Sequence, residues 1–415
     1  MGNLRPLLVV GDAVSSGTGL GRITGMIASG IFNELSDKYR MATAGYGGPG
    51  SRIFPFPQYT FVVNDKDWVI PQLRQIWEDW SNGERGVVMF VWDPSRLGWF
   101  AQPDLLSETL ESYPGMRRWL RDAPFEKWLY CPLDAEGPGP NGELTFPVKA
   151  TLLGFNRIIA YTRWGAKLIE KTIGSEEAEA RHLIALPHGI DDDIFFEMPR
   201  RASRMAFLTR TGAMPIVQGM KAMPIEDDET LIGIVATNQP RKDWSLALKT
   251  CALLSKTRKI RVWAHTDKLE AAWSIPALLL DYELIDKALV SLNHLTDDNM
   301  AVAYSACDLT LAPGRGEGFG FPLVESVFCG TPCLHGNYAG GAEVLSQYPD
   351  FLVDPVAFQD EGEYLCRRPV FTAEEWAARA NDVVDTRVGP IPYYDWINAW
   401  EQWKTYLVEA FNHAV

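Results

Sequence analysis

Glu317 and Glu325 stand eight residues apart on either side of a glycine-rich turn, in the stretch APGRGEGFGFPLVE that runs from Ala312 to Glu325. A carboxylate accepts hydrogen bonds in pairs, which suits the vicinal hydroxyls of a ribose or a hexose. An apolar strand ends near Ala312, and a helix is expected to open with Pro322 at its first position, where a missing N–H costs nothing. The start of a helix presents unpaired N–H groups and the positive end of its dipole. Gly318 and Gly320 let backbone amides approach a ligand closely, as a bound diphosphate requires. Taken alone, the pair reads more readily as two helix-cap carboxylates in a glycine-rich turn. A second carboxylate position is Asp93, which follows the strand Val87–Trp92. Strand carboxyl ends face the ligand crevice in doubly wound sheets, so Asp93 and the adjoining Trp92 are candidates to orient a hydroxyl there. The plainer reading is that Asp93 caps a loop.

The elements that must position these groups alternate along the chain. Leu7–Val10, Val87–Trp92, Trp128–Cys131, Ile158–Tyr161 and His182–Leu186 have strand character, with helices between them and Thr162 as a helix cap. From Arg200 to Thr230 the pattern breaks into Pro, Met, Gly and mixed charge, which suits an interdomain connection. Alternation then resumes with strands Leu231–Ala236, Ile260–Ala264 and Leu309–Ala312 and helices Trp244–Leu254, Met300–Ala306 and Pro322–Cys329. This pattern predicts parallel sheets built from βαβ units. Near the end, Trp396, Trp400, Trp403, Leu407 and Phe411 recur at three- and four-residue steps and form one apolar helix face. A face so rich in Trp needs a broad apolar partner, which the first domain can supply.

Bulk properties bound the function. A chain of 415 residues exceeds what one core usually serves, so two domains are expected. The net charge of -14 and the lack of a Lys/Arg-rich run disfavour nucleic acid as a partner without excluding it. Six Cys are scattered through apolar segments; only Cys329 and Cys333 are close, with no second pair to complete a zinc site, so no metal is expected. The N-terminal apolar run is too short for a signal peptide, and no 18-residue apolar stretch exists to span a membrane. The cytoplasm is the expected location. Gly17, Gly19 and Gly21 do not form G-x-G-x-x-G, and no Walker A lysine follows a glycine-rich loop, which argues against NAD binding and NTP hydrolysis.

The run from Tyr304 to Leu345, YSACDLTLAPGRGEGFGFPLVESVFCGTPCLHGNYAGGAEVL, resembles the donor-site region of the retaining GT-B glycosyltransferases of family 4, the glycosyl transferases group 1. Further matches are Pro187-His-Gly-Ile-Asp191 with Phe195, Gly233 to Lys242, the loop from Gly17 to Arg22, and the Trp-rich tail. The resemblance implies an α/β fold of two Rossmann-like domains with a cleft between them and a C-terminal helix returning to the N-terminal domain. The expected division is 1–205 for the acceptor domain, 225–390 for the nucleotide-sugar domain and 391–415 for the returning helix.

The same resemblance implies roles. Glu317 lies beside the donor sugar and Glu325 on the nucleotide ribose. Amides around Gly318, Phe319, Gly320 and Phe321 approach sugar and phosphates, as Gly19 and Gly21 do from the first loop. Arg241 and Lys242 neutralise the leaving diphosphate. Thr237 stands where the family usually carries Arg, and Arg241 or Asn238 is expected to compensate. Asp134 replaces the His that many members carry after the strand Trp128–Cys131; it joins Trp92 and Asp93 on the acceptor side, and its plainer reading is a loop cap. Glu317, Asp134 and Lys242 are thus the expected catalytic set. The implied activity moves a hexose from a nucleotide sugar to a hydroxyl acceptor with retention, by front-side displacement, without a metal or other cofactor. UDP-glucose is the favoured donor and GDP-mannose the second. The acceptor class stays open, as do two other readings, a sugar-nucleotide epimerase and a non-catalytic sugar-nucleotide-binding protein.

Overall fold

The computed structural model describes residues 4–47, 53–62, 69–106, 108–113, 115–217, 219–292, 294–362 and 365–413. The chain forms two compact units, Met1–His188 with Ile397–Val415, and Gly189–Trp396.

The first unit is built on seven strands: β1 (Arg5–Asp12), β2 (Tyr39–Tyr46), β3 (Gln58–Thr60), β4 (Gly86–Val91), β5 (Phe125–Cys131), β6 (Arg157–Ala160) and β7 (Ile184–Ala185). They lie in the order β3-β2-β1-β4-β5-β6-β7, with every pairing parallel. The central strands are apolar runs because helices cover both faces; Leu7 to Val10 and Val87 to Val91 are fully buried. Thr18 starts the helix Gly19–Glu34 by accepting from the Gly21 amide at 3.0 Å. Thr162 caps Arg163–Ile173 in the same way, through the Gly165 amide at 3.1 Å. The strand expected over His182–Leu186 shrinks to β7, because His182 turns through a positive φ of 47° just before it.

The tail helix Trp396–Asn412 closes this unit. Trp403 is fully buried and donates its indole N–H to the Pro187 carbonyl at 3.0 Å. Trp400 bonds Glu34 at 2.7 Å and lies so close to Gly30 that a Cβ there would meet its ring at 2.5 Å. Tyr39 donates to the Leu407 carbonyl at 2.8 Å. Tyr406, which the Trp-based face did not include, is also buried, while Trp396 is only half-buried.

The second unit repeats the plan with β8 (Met214–Pro215), β9 (Thr230–Val235), β10 (Ile260–His265), β11 (Ala288–Ser291), β12 (Leu309–Ala312), β13 (Cys333–Gly336) and β14 (Leu352–Val353). The order is β14-β13-β12-β9-β10-β11-β8, parallel except for the short edge strand β8. A separate antiparallel ribbon joins β15 (Ala357–Glu361) and β16 (Cys366–Val370).

The segment read as an interdomain connection is largely structure of this second unit. It folds into the helix Arg200–Thr211 and β8. Its Arg204 is 7% exposed and bonds the carbonyls of Ala306, Glu226 and Glu229 as well as the Asp308 carboxylate. An Arg on the buried face masks the apolar period by which a helix is recognised. The boundary at 205 therefore falls inside a helix, and the units divide at His188 and Gly189. Among the described residues no helix is long and apolar enough to cross a membrane.

Candidate functional site

In the second unit the chain reverses strand order between β12 and β9, the topological switch point where open α/β sheets take ligands. Two loops meet there. The loop after β9 carries Arg241 and Lys242; the loop after β12 carries Glu317 and leads into the helix Phe321–Phe328. Gly320 enters that helix at φ 90°, a conformation that favours glycine, and Pro322 occupies its second position, one later than expected. A pocket here is lined by Val235, Ala236, Lys242, Ala312, Pro313, Gly314, Glu317, Gly320, Pro322 and Leu323.

Glu317 is the electrostatic centre of the pocket. Its Oε1 pairs with Lys242 Nζ, and its Oε2 lies 3.3 Å from Arg241 Nη1. Burial pushes the carboxyl pKa up, but the Lys242 and Arg241 charges outweigh burial and bring it down to about 2. The group is an anion at neutral pH and can accept hydrogen bonds, not donate a proton. Two glycines make room for it: a Cβ at Gly314 would lie 2.7 Å from Glu317 Oε1, and one at Gly340 would lie 2.3 Å from the Gly318 carbonyl. The Gly341 amide holds the Glu317 carbonyl at 3.1 Å. Arg241 Nη1 also bonds the Gly316 carbonyl at 3.2 Å, and Arg315 N bonds the Arg241 carbonyl at 2.8 Å, so the two loops brace each other.

Other expected donor-side residues have different surroundings. Glu325 is 6% exposed and accepts from the Tyr304 hydroxyl at 2.9 Å. It sits in the body of the helix Phe321–Phe328, not beside Glu317 in the pocket lining. Asn238 is a loop brace. Its amide donates to the carbonyls of Lys268 and Trp273 at 3.1 and 2.8 Å, its Oδ1 accepts from Trp273 N at 2.9 Å, and its backbone N–H goes to Asp267. No side-chain capacity aimed at a phosphate remains on it. Gly318 and Phe319 are buried, and the Phe319 ring packs edge-on against Phe321 and Tyr394 at 5.7 and 5.3 Å. The backbone around Phe319, Gly320 and Phe321 lies at the positive end of the helix.

The remaining candidates lie in the first unit: Gly19 and Gly21 follow β1, Trp92 and Asp93 follow β4 on the other side of that sheet's switch point, and Asp134 follows β5. Gly19 is exposed at the first turn of its helix, whereas Gly21 is closed in: a Cβ there would meet Ser16 Oγ at 2.2 Å and the Ala13 carbonyl at 2.5 Å. Thr18 also donates to Asp12, at the end of β1, at 2.6 Å. Asp93 caps the turn Pro94–Arg96 through the Ser95 amide at 2.8 Å and stays exposed. Asp134 follows β5 and is half-buried. Trp92 is 7% exposed and packs edge-on against Tyr46 at 4.9 Å, which makes it a core ring and not an open platform. His188 is buried with Nδ1 2.8 Å from the Tyr130 hydroxyl, and burial lowers its pKa well below the usual imidazole value.

Comparison with known proteins bears on both units. Residues 219–361 match the family described as glycosyl transferases group 1, and these residues include Arg241, Lys242, Glu317 and Glu325. The serotype-specific mannosyltransferase WbdA of Escherichia coli is 29% identical over 147 residues, 35% of this chain and 18% of that protein. The D-inositol 3-phosphate glycosyltransferase of Mycobacterium avium is 26% identical over 174 residues, 39% of this chain and 37% of that protein. The match thus spans well under half the length of these curated relatives. At the level of fold, Anabaena HepE in complex with UDP and glucose superposes with a TM-score of 0.64 at 13% identity, covering 98% of this chain and 100% of that one. Sucrose-phosphate synthase from Thermosynechococcus elongatus gives 0.61 at 12% identity, covering 99% and 100%. The chain has the two Rossmann-like domains of the GT-B enzymes, and its match to glycosyl transferases group 1 over residues 219–361 supports a glycosyltransferase.

Proposed function

We propose that the protein transfers a hexose from a nucleotide sugar to a hydroxyl acceptor with retention of anomeric configuration. The observation that carries this reading is the ionised Glu317, held by Lys242 and Arg241 at the start of the helix Phe321–Phe328. A diphosphate entering at that helix meets two cations and the positive end of the dipole. These cations stabilise the charge that grows on the departing diphosphate, as a divalent ion would do elsewhere. Glu317, with its low pKa, accepts hydrogen bonds from sugar hydroxyls and is no proton donor. The leaving phosphate oxygen takes the acceptor proton in a front-side displacement, with position and charge as the main contributions of the protein. Asp134 and Asp93 orient the acceptor hydroxyl.

UDP-glucose is the first donor to test and GDP-mannose the second, the latter because WbdA is a mannosyltransferase. The deciding experiment is turnover of an α-linked donor with an acceptor panel, followed by NMR of the product. An α-linked product supports the reading and a β-linked product overturns it. An epimerase would convert the donor with no acceptor present, and a pure binding protein would not turn it over.

A further inference from the structure

Behind Glu317, outside the pocket lining, stands a histidine. His335 is the third residue of β13, is fully buried, and pairs with Ala312 of β12 across the sheet. Its Nδ1 lies 2.8 Å from the Ala312 carbonyl. A carbonyl only accepts, so Nδ1 carries the hydrogen and donates it. Burial holds the imidazole pKa below its ordinary value, although the Ala312 carbonyl and Glu317 pull it up. The ring is therefore neutral at pH 7, with a bare lone pair on Nε2. Among the described residues Nε2 has no hydrogen-bond partner. An apolar side chain of similar size would avoid the cost of that buried acceptor. Packing alone therefore does not account for a histidine here, whereas its bond to Ala312 does.

The ring meets the donor loop at both of its ends. Ala312 is where β12 gives way to the loop that leads to Glu317. On the other side the chain turns after β13 through Ala339, at φ 59°, and sets Gly341 against the imidazole. A Cβ at Gly341 would stand 2.4 Å from His335 Nε2 and 3.2 Å from Glu317 Cβ. The imidazole and the root of the Glu317 side chain thus flank one small space that only a glycine leaves open. The Gly341 amide in turn donates to the Glu317 carbonyl at 3.1 Å. His335 therefore fills the interval between the residue that starts the loop and the backbone that holds Glu317. In a close-packed interior the loss of such a ring is felt by everything it separates.

We propose that His335 is a positioning residue of the donor site, whose imidazole ties down Ala312, spaces it from Gly341, and thereby sets where the Glu317 carboxylate meets Lys242 and Arg241. This deepens the sugar-nucleotide reading above and rests on it. The ring touches no substrate and acts through Glu317. Two consequences separate this role from plain packing. The N–H at the Ala312 carbonyl matters, and not only the volume of the ring. The effect also disappears once Glu317 can no longer pair with its cations.

The test is calorimetric titration of the full chain with UDP and GDP, read on whichever the wild type binds more tightly. His335→Leu fills much of the space without an N–H and should weaken binding by about ten-fold, since small misplacements are felt strongly in such sites. His335→Asn is of similar size but can still donate to the Ala312 carbonyl, and it should stay within about three-fold of wild type. In a Glu317→Gln background His335→Leu should cost less than about two-fold more, because both changes act on one contact. Asn and Leu variants that bind equally, or losses that multiply in the double variant, overturn the inference while leaving the donor site standing. A wild type that binds neither nucleotide overturns the donor-site reading as well. Nitrogen NMR of the wild-type imidazoles, assigned through the backbone, needs no variant to fold: it should find the His335 hydrogen on Nδ1, and a hydrogen on Nε2 alone overturns the inference.

Discussion

Lys242 Nζ and Glu317 Oε1 form an ion pair between the loops that follow β9 and β12, with only 14% and 13% of the two side chains exposed. At this burial neither charge is well solvated by water, so each depends on the other and on Arg241. The pair therefore couples the integrity of the pocket to its chemistry.

Replacing Lys242 by Ala should have two effects. Removing a charge-assisted contact to a phosphate should weaken UDP binding by about 1.5–3 kcal/mol. Leaving Glu317 buried against Arg241 alone should also lower the unfolding free energy, by about 1–3 kcal/mol because one cation remains. The double variant Lys242→Ala with Glu317→Gln should recover stability but not binding. Calorimetry and thermal unfolding check this; a single variant as stable and as tight-binding as wild type contradicts it.

The same pair sets an acid limit. The folded pKa of Glu317 is depressed to about 2, below its ordinary value of 4.5. A depressed carboxyl contributes stability that is fully present above 4.5 and is lost as pH falls through the interval to about 2. Thermal unfolding of wild type should therefore decline over this interval more steeply than that of Glu317→Gln, whose side chain has no proton to take up. Parallel pH profiles for the two proteins would refute the assignment.

The tail helix is expected to be indispensable to the first unit. Trp403 is fully buried between Tyr130, at 4.7 Å, and Tyr406, and it bonds the Pro187 carbonyl. Trp403→Ala should cost about 3–5 kcal/mol. Deleting 391–415 should leave the chain insoluble or unfolded, and a soluble, active truncation would contradict the role given to this helix.

Much of this was readable where side-chain chemistry and local geometry agree. Trp244–Leu254 and Leu309–Ala312 form with the expected bounds, because each is bounded by a strong local signal: the Asp243 side chain caps the Leu246 amide at the start of the helix, and Pro313 follows the strand. Arg200–Thr211 escaped because Ser203, Arg204, Phe207 and Thr211 form its buried face and only one of them is apolar. The Glu317 pocket was legible from its glycines, but the Tyr304 partner of Glu325 and the role of Asn238 were not. Both depend on contacts across many residues of chain, 21 in the first case and up to 35 in the second.

Acceptor chemistry offers a separable prediction. Asp134 follows β5 at the carboxyl edge of the first sheet, away in sequence from every residue of the Glu317 pocket. If it orients the acceptor, its contacts matter mostly in the transition state. Asp134→Ala should then lower kcat by ten-fold or more, roughly 1.4 kcal/mol, while UDP affinity stays within error. Equal losses in donor affinity and turnover would place Asp134 in folding or donor binding instead.

Gly340 provides the sharpest geometric test of the donor loop. It lies beneath Gly318, and a Cβ there would sit 2.3 Å from the Gly318 carbonyl oxygen and 3.0 Å from that of Glu317. These are backbone atoms, so no rotamer change relieves the clash, and the loop itself must move. Gly340 is buried in a short helix that begins at Ala339, where displacement in the other direction is opposed by packing. The loop has little freedom, because the Gly341 amide holds the Glu317 carbonyl and the Glu317 side chain is tied to Lys242 and Arg241. Gly340→Ala should therefore shift Glu317 away from its cations and weaken UDP binding by ten-fold or more, about 1.4 kcal/mol, since a 1 Å misplacement is felt strongly in such sites. Gly362→Ala is the matched control: it lies in the same unit, and among the described residues, its chain neighbours aside, no atom stands within 4 Å of where its Cβ would be. Calorimetry with UDP should find the control unchanged and Gly340→Ala impaired; equal affinities in the two would show that the loop does not set the donor site.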